Sequence, residues 1–427
     1  MERYSSYKDS GVSWIGDIPE HWEVKQLRSF LTLFSEKGHG DAQLLSVTRE
    51  QGVIERDKED QEENHNFVPD DLSGYKYIEK GDFAINKMKA WQGSYAVSEY
   101  NGIVSPAYFT CKLKGVNKDF FSKAIRSKVY VPFFTQYSKG IRVGQWDLNP
   151  NALKSIPFFL PTPDEQSVIV KYIDDKTSNI DAYVADKEKE IELLQELKQK
   201  TIADAVTKGL NPDVKTKDSG ISWIGEIPEH WEVKRVGSFL RERKEKYNGD
   251  NTLGILSLLK GLGIIPYEEK GNIGNKAKED LSTYKIARKG DVVVNCMNVI
   301  IGSSGITDYD GYISPAYYSF IPVDRMMAII YKHWLSLPQM QGAIRCMAKG
   351  ILEIRLRVSS QQLLSMKIPF PPLDEQRAIV SYIEEKCQKI DSLTTELQSE
   401  IDYLKEYKQR LIADCVTGQV NVQKEVT

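Results

Sequence analysis

Lys8–Lys25 reads KDSGVSWIGDIPEHWEVK, and Lys217–Lys234 reads KDSGISWIGEIPEHWEVK. Sixteen of these eighteen positions are identical, and the other two are Val/Ile and Asp/Glu exchanges. The offset of 209 residues persists: Gly81-Asp82 returns as Gly290-Asp291, Asn86 as Asn295, Gly102 as Gly311, and Ser105–Tyr108 (SPAY) as Ser314–Tyr317. After one residue of slippage, Asp164-Glu165-Gln166 returns as Asp374-Glu375-Gln376, and Ile202-Ala203-Asp204 as Ile412-Ala413-Asp414. Solenoid repeats run to roughly 20–50 residues, so this longer period marks a duplicated whole domain. Two similar heads in one chain suit a protein that holds two similar things at a fixed separation.

The 427 residues leave each copy long enough to bury its own core. Hydrophobic residues make up 41% and mean hydropathy is -0.42, ordinary for a soluble protein. No apolar run approaches the roughly 18 residues of a membrane span, and Met1–Ser6 lacks the apolar stretch of a secretory signal. A cytoplasmic location away from any membrane is therefore expected. Cys111, Cys296, Cys346, Cys387 and Cys415 are odd in number and lack CxxC spacing, so they are expected to be reduced, buried thiols.

The net charge of -3 makes no case for a polyanion partner, but its distribution does. Residues 111–160 carry a net +7 and residues 325–370 a net +6, whereas 164–208 and 374–418 are each -4. Basic stripes recurring in a near-neutral chain are a better footprint of nucleic-acid binding than total charge.

Each repeat splits into a head, about 13–161 and 222–371, and a spacer. The heads mix β-rich runs (Leu44–Thr48, Asp82–Asn86, Ile103–Cys111) with short helical stretches such as Lys118–Lys128. The spacers open on Pro163-Asp164-Glu165-Gln166 and Leu373-Asp374-Glu375-Gln376, acidic turns favoured at a helix start. Ile390, Leu393, Leu397, Ile401, Leu404 and Leu411 recur at three- and four-residue steps, as do Ile180, Val184, Ile191, Leu194 and Ala205, with Lys187 and Lys198 interrupting. That spacing predicts a coiled-coil seam, ending near Gly209 and Gly418; a helix packed on its own head is the alternative. The expected fold class is α+β: two tandem mixed α/β heads, each followed by a long helix, the helices pairing as an antiparallel coiled-coil spacer with pseudo-twofold symmetry. The expected divisions are 1–162, 163–209, 210–372 and 373–427. The 27 residues of Ile180–Val206 would span about 40 Å, roughly one turn of B-DNA.

The head openings at Ser13 and Ser222, the GD segments at Gly81 and Gly290, the junctions Ile156–Gln166 and Ile368–Gln376, and the helix ends TIADAVTKG and LIADCVTGQ together resemble the specificity subunit of type I restriction–modification systems. The likeness covers essentially the whole chain, twice and in order. It implies two target-recognition domains reading halves of a bipartite, asymmetric site in double-stranded DNA. It further implies helices that dock two methyltransferase subunits, with two helicase–nuclease subunits joining for restriction. The chain itself would be non-catalytic and bind no cofactor; S-adenosylmethionine, ATP and Mg are expected on the partners.

Other chemistry is weakly encoded. Ser105–Tyr108 and its twin superficially resemble the Asn-Pro-Pro-Tyr clamp of adenine methyltransferases but lack the amide and second proline, which favours a turn ahead of a strand. Gly261-Leu262-Gly263 lacks a third glycine for a cofactor loop. His21 and His230 are expected to pack or cap, while His39, His65 and His333 have no metal-ligand company. Trp14, Trp22, Trp223 and Trp231 sit in wording shared by both heads, so they are expected to be core rather than base-stacking.

Sequence specificity should instead lie where the copies differ inside a matched frame. Lys87, Lys89, Trp91 and Gln92 face Asn298 across the alignment; Lys and Gln suit guanine and adenine edges, and Asn298 suits adenine. After the shared Lys-Gly-Ile at Lys139 and Lys349 come Arg142 and Gln145 in one copy and Arg355 and Arg357 in the other. Arg49 and Lys260, aligned in LS…G turns, suit phosphate contacts that position without specifying. An ordinary solvated surface remains open for each. At the level of function, a stand-alone adenine DNA methyltransferase and a protein-bridging scaffold are the competing readings.

Overall fold

The computed structural model describes residues 2–57, 69, 71–140, 146–250, 252–273, 276–278, 280–349 and 356–424. Two compact units emerge, 1–188 with 398–427 and 189–397. The division cuts both long helices, Pro163–Lys208 and Leu373–Val416, so each unit contains a head, the start of one helix and the end of the other.

Each head is built on a four-stranded antiparallel sheet. In the first unit its order is Leu31–Phe34, Tyr108–Leu113, Phe83–Asn86, Tyr95–Val97. In the second it is Leu240–Glu242, Tyr317–Pro322, Val292–Asn295, Ser304–Ile306. The central strand reads as an unbroken apolar run because both faces are covered. Phe83 and Ile85 join the main core, while Ala84 joins a smaller one with Leu45, Val47 and Val104. Val292 and Val294 divide from Val293 in the same way.

The smaller core is closed by a hairpin, Leu45–Thr48 with Gly52–Glu55 or Gly254–Leu259 with Gly263–Pro266, which runs beside the strand carrying the repeated glycine. A Cβ on Gly102 would lie 2.3 Å from the Gln43 carbonyl oxygen, and one on Gly311 2.7 Å from that of Gly254. Backbone approach this close explains why glycine recurs at both positions. The expected strand Ile103–Cys111 is two strands, Gly102–Val104 and Tyr108–Leu113, because Pro106 sits in a turn between them. The expected helix Lys118–Lys128 ends at Arg126 and gives way to a 3-10 turn.

The opening and closing phrases of each head are strand partners: Glu23–Gln26 pairs with Pro157–Leu160, and Glu232–Arg235 with Lys367–Phe370. This pairing puts the helix start against the IPEHW segment. Glu165 accepts hydrogen bonds from Trp22 Nε1 (3.1 Å) and Tyr4 and lies 3.0 Å from His21 Nε2. Glu375 accepts from Trp231 Nε1 (2.9 Å) and lies 2.5 Å from His230 Nε2. Gln166 and Gln376 donate to the carbonyls of Pro161 and Pro371, satisfying the chain just before each helix. The histidines thus orient the Glu of the DEQ phrase, and Trp22 and Trp231 are fully buried as expected. Trp14 differs: it is 42% exposed, lying against Phe133 and donating to the Val129 carbonyl.

Both helices contribute to both cores. Ile169, Tyr172 and Ile173 join Leu411, Cys415 and Val416 in the first; Ile202, Ala205 and Val206 join Ile379, Val380 and Ile383 in the second. A helix therefore packs on its own head at its start and on the other head at its end. Between these ends the helices run antiparallel. In the first unit Asp181 pairs with Lys408 (2.6 Å) and Lys187 with Glu400 (3.6 Å); in the second Lys198 pairs with Asp391 (2.6 Å). The two lysines that interrupt the apolar stripe are thus half-buried in the seam and answered by carboxylates. Val184, Ile390, Leu397 and Ile401 are buried in it, whereas Leu393 is 39% exposed and lies outside. Positive-φ Gly209 and Gly418 follow the helix ends.

Candidate nucleic-acid interface

The GD segments are turns held by their own aspartates. Asp82 is buried and accepts from the Glu79 amide (2.9 Å) and Lys112 Nζ (2.9 Å). Asp291 accepts from the Arg288 amide (3.0 Å), Ser319 Oγ (2.7 Å) and Arg243. Each strand that follows ends in an Asn whose side-chain oxygen caps the next turn, Asn86 on the Met88 amide and Asn295 on those of Met297 and Asn298. The capped turns, Ala90–Gln92 and Asn298–Ile301, both close on a left-handed glycine, Gly93 and Gly302. The shared residues build the platform; of the differing ones, Lys89 and Asn298 are exposed on it, whereas Ala90, Cys296 and Val299 are buried.

In the first head, Lys89 is exposed and Lys87 and Trp91 are half-exposed. Lys87 pairs with Asp147 at 3.2 Å, and Trp91 packs against Trp146 with ring centroids 5.1 Å apart. Lys139 is exposed opposite Asp147 in a short strand pair. Lys87, Trp91 and Lys139 therefore come together, and part of the positive charge is answered internally. Arg49, exposed at the tip of the 45–55 hairpin, and Gln92 line a separate cavity of about 930 Å³ against residues 402–409 of the second long helix. Arg142 and Gln145 lie outside the described residues.

In the second head, Lys260 at the hairpin tip and Asn298 are both exposed and line one cavity of about 310 Å³. Lys349 and Arg357 are exposed and exchange backbone hydrogen bonds of 2.9 and 3.0 Å, and the Val358 amide donates to the Cys296 carbonyl (3.0 Å). Arg357 thus stands where the first head has Asp147, and Cys296 where it has Lys87. Arg355 lies outside the described residues.

Ser105 and Ser314 accept from the amides two and three residues on, so both SPAY segments are turns ahead of a strand, as expected. Gly261 and Gly263, both at positive φ, form a hairpin tip rather than a strand-to-helix loop.

A family described as type I restriction modification DNA specificity domain matches residues 228–403. At 24% identity the chain is similar to the putative type I restriction enzyme MjaX specificity subunit of Methanocaldococcus jannaschii, covering 96% of each. The MjaVIII specificity subunit of the same organism is 25% identical, with 95% of this chain and 94% of the relative covered. The EcoBI specificity subunit of Escherichia coli is 24% identical over 72% of this chain and 66% of its own length. Over nearly its whole length the chain is thus similar to type I specificity subunits, and residues 228–403 carry the match to their DNA specificity domain. Solved structures share its fold. A chain from a study of complex assembly and conformational transition of a type I R-M system superposes with a TM-score of 0.68 at 16% identity, covering 94% of this chain and 99% of that one. The HsdS subunit of Thermoanaerobacter tengcongensis gives 0.51 at 17%, covering 94% and 98%.

Sequence reasoning missed Arg126. Its guanidinium donates to the carbonyls of Arg49 (2.9 Å), Glu50 (2.8 Å), Gly93 (2.9 Å) and Tyr95 (3.3 Å), locking the Arg49 tip beside the Gln92 turn. In the sequence it is one charge among the basic residues of 111–160. Lys112 and Lys123 are likewise structural, paired with Asp82 and Asp174, and Lys332 is half-buried. The stripes are therefore part scaffold and part exposed surface. Among the thiols, Cys111, Cys296 and Cys415 are buried, whereas Cys346 is exposed and Cys387 partly so, which corrects the expectation that all are buried. Burial pushes the Cys111 and Cys415 thiols up to about 12, by desolvating the thiolate. Among the described residues no cluster of His, Cys, Asp or Glu could hold a metal ion. None of the described helices is long and apolar enough to cross a membrane.

Proposed function

We propose that this chain is a non-catalytic DNA sequence-specificity subunit of a cytoplasmic type I restriction–modification complex. The observation that carries the reading is the duplication itself: one platform is built twice, and the exposed residues on its turns differ between the copies. Residues 1–162 and 210–372 act as the target-recognition domains, and 163–209 and 373–427 as the spacer helices and tail. Double-stranded DNA is read by Lys87, Lys89, Trp91, Gln92, Lys139, Arg142 and Gln145 in one domain and by Asn298, Lys349, Arg355 and Arg357 in the other. Arg49 and Lys260 hold phosphates from the hairpin tips. Phosphate contacts of this kind make affinity fall steeply with salt, whereas a bridging scaffold would show no such dependence.

The helices dock two methyltransferase subunits, and two helicase–nuclease subunits complete the restriction complex. Support comes from the helices' acidic exposed faces and from Leu193 and Leu197, which stand 56% and 51% exposed on the first of them. S-adenosylmethionine, ATP and Mg belong to those partners. The test is co-expression with the methyltransferase subunit, followed by single-molecule mapping of methylated adenines. The expected result is a split motif with one modified adenine per strand. A stable complex without any such motif would refute the assignment of the heads, and failure to form a complex would refute that of the helices.

A further inference from the structure

Glu165 and Glu375 stand at the starts of the two long helices in the same way but keep different company. In the first unit Glu165 is met by His21, Trp22 Nε1 and the Tyr4 hydroxyl, and its side chain is fully buried. The Tyr4 ring lies 5.5 Å from that of His21 and 6.3 Å from that of Trp22, and burial beside the carboxylate raises its pKa and keeps the hydroxyl protonated. In the second unit His230 and Trp231 take the places of His21 and Trp22, yet the Glu375 side chain is 39% exposed. The sequence accounts for the difference. Tyr7 pairs with Pro19 and Thr216 with Pro228, so the two strands share one register and Asp213 stands where the first copy has Tyr4. Asp213 is exposed, and a cavity of about 160 Å³ lies between His230, Glu375, Val214, Pro228, Ala378 and Ile379.

Apolar cavities of about 150 Å³ hold a benzene ring. Apolar walls on one side and a partly exposed carboxylate on the other suit an aromatic ring that carries a hydrogen-bond donor, which is what Tyr4 supplies in the first unit. A surface able to present such a ring adjoins the cavity. Leu210 lines both this cavity and a neighbouring one of about 250 Å³ with Leu197 and Tyr382. Leu197 is one of the exposed leucines on the helix proposed to dock a methyltransferase subunit. We propose that the second unit binds a tyrosine side chain of that docked subunit, its ring between Pro228 and Ile379 and its hydroxyl donating to Glu375. The first unit fills the matching place with its own Tyr4, so this pocket is offered to a partner by one unit only.

The inference rests on the docking reading of the helices, and the experiment separates the two. p-Cresol, the tyrosine side chain as a free molecule, is titrated into the full-length chain, with toluene and methylguanidinium for comparison. One p-cresol is expected per chain, with toluene about tenfold weaker because it lacks the donor. Asp213→Tyr, which restores the first copy's residue at an exposed position, should reduce this to none. Tyr4→Ala should raise it to two by opening the matching place in the first unit. Toluene or methylguanidinium bound as tightly as p-cresol, or a stoichiometry that neither variant moves, overturns the pocket assignment. The methyltransferase subunit is then titrated into the wild type and Asp213→Tyr. The variant should weaken one of the two docking events about tenfold and leave the other unchanged. Equal affinities, with p-cresol behaving as expected, overturn the partner tyrosine alone. No complex with the wild type overturns the docking reading, and this inference with it.

Discussion

His333 shows what one buried side chain contributes. It is 8% exposed on the Arg325–Ser336 helix, and burial, aided by Lys332 and Lys198, holds its pKa down at about 3. The folded chain therefore keeps it neutral, whereas the unfolded chain protonates it below about pH 6.5. Protons bind preferentially to the unfolded state between those values, so stability falls as pH drops through this window. Denaturant unfolding should show the second unit losing about 2 kcal/mol from this group between pH 7 and pH 5. His333→Gln should flatten that slope. Arg126 acts on the surface instead. Arg126→Ala should free the Arg49 and Gln92 turns and weaken DNA binding about tenfold, with a smaller change in melting temperature; an equal response from Arg126→Lys would argue against its fork geometry being required.

The long helices gain stability from their seam far more than from their surface charges. Ile401 is 1% exposed, and Ile401→Ala should cost about 2–5 kcal/mol in denaturant unfolding. The Lys198–Asp391 pair is partly solvated, so a double-mutant cycle should return a coupling below about 1 kcal/mol. The heptad spacing made the seam readable, including the two lysines that interrupt it. It could not show that carboxylates on the other helix would answer them, because that depends on register between segments some 200 residues apart. Leu393 entered the expected stripe by spacing alone and stands outside it, since its burial is set by the partner helix. At the strand level, Gly102 and Gly311 were legible as repeats, but the reason, a carbonyl within 2.3 or 2.7 Å of any Cβ, is a tertiary one.

At the scale of the molecule, the chain closes on itself. Tyr7 Oη donates to the Gly418 carbonyl (3.1 Å), Gln419 to that of Asp17 (2.7 Å), and the Asn421 amide to that of Glu2 (2.9 Å). Val420 and Val422 are buried in the first unit's core. Gly418 itself lies so near Pro19 and Trp22 that a Cβ would approach Pro19 to 2.3 Å. Ending the chain at Thr417 should therefore destabilise the first unit by several kcal/mol, since each buried Val contributes roughly 1.5–3. Limited proteolysis is expected to cut the first head early while the second stays resistant; equal resistance of both would show the tail to be dispensable.

The duplicated wording, the helical spacers and the positions of the capped turns where the copies differ were all set by local pattern: periodicity, capping residues and aligned differences between two copies. These signals survive in one dimension because each depends on neighbours a few residues away or on direct comparison. Tertiary structure decided which charges are surface and which are scaffold, as Arg126 and Lys112 show, and which shared residues meet, as Trp22, His21 and Glu165 do. It also decided that each core is completed by the end of a helix that begins on the other head. Such pairings depend on distances between segments remote in the chain, and no local pattern carries that information.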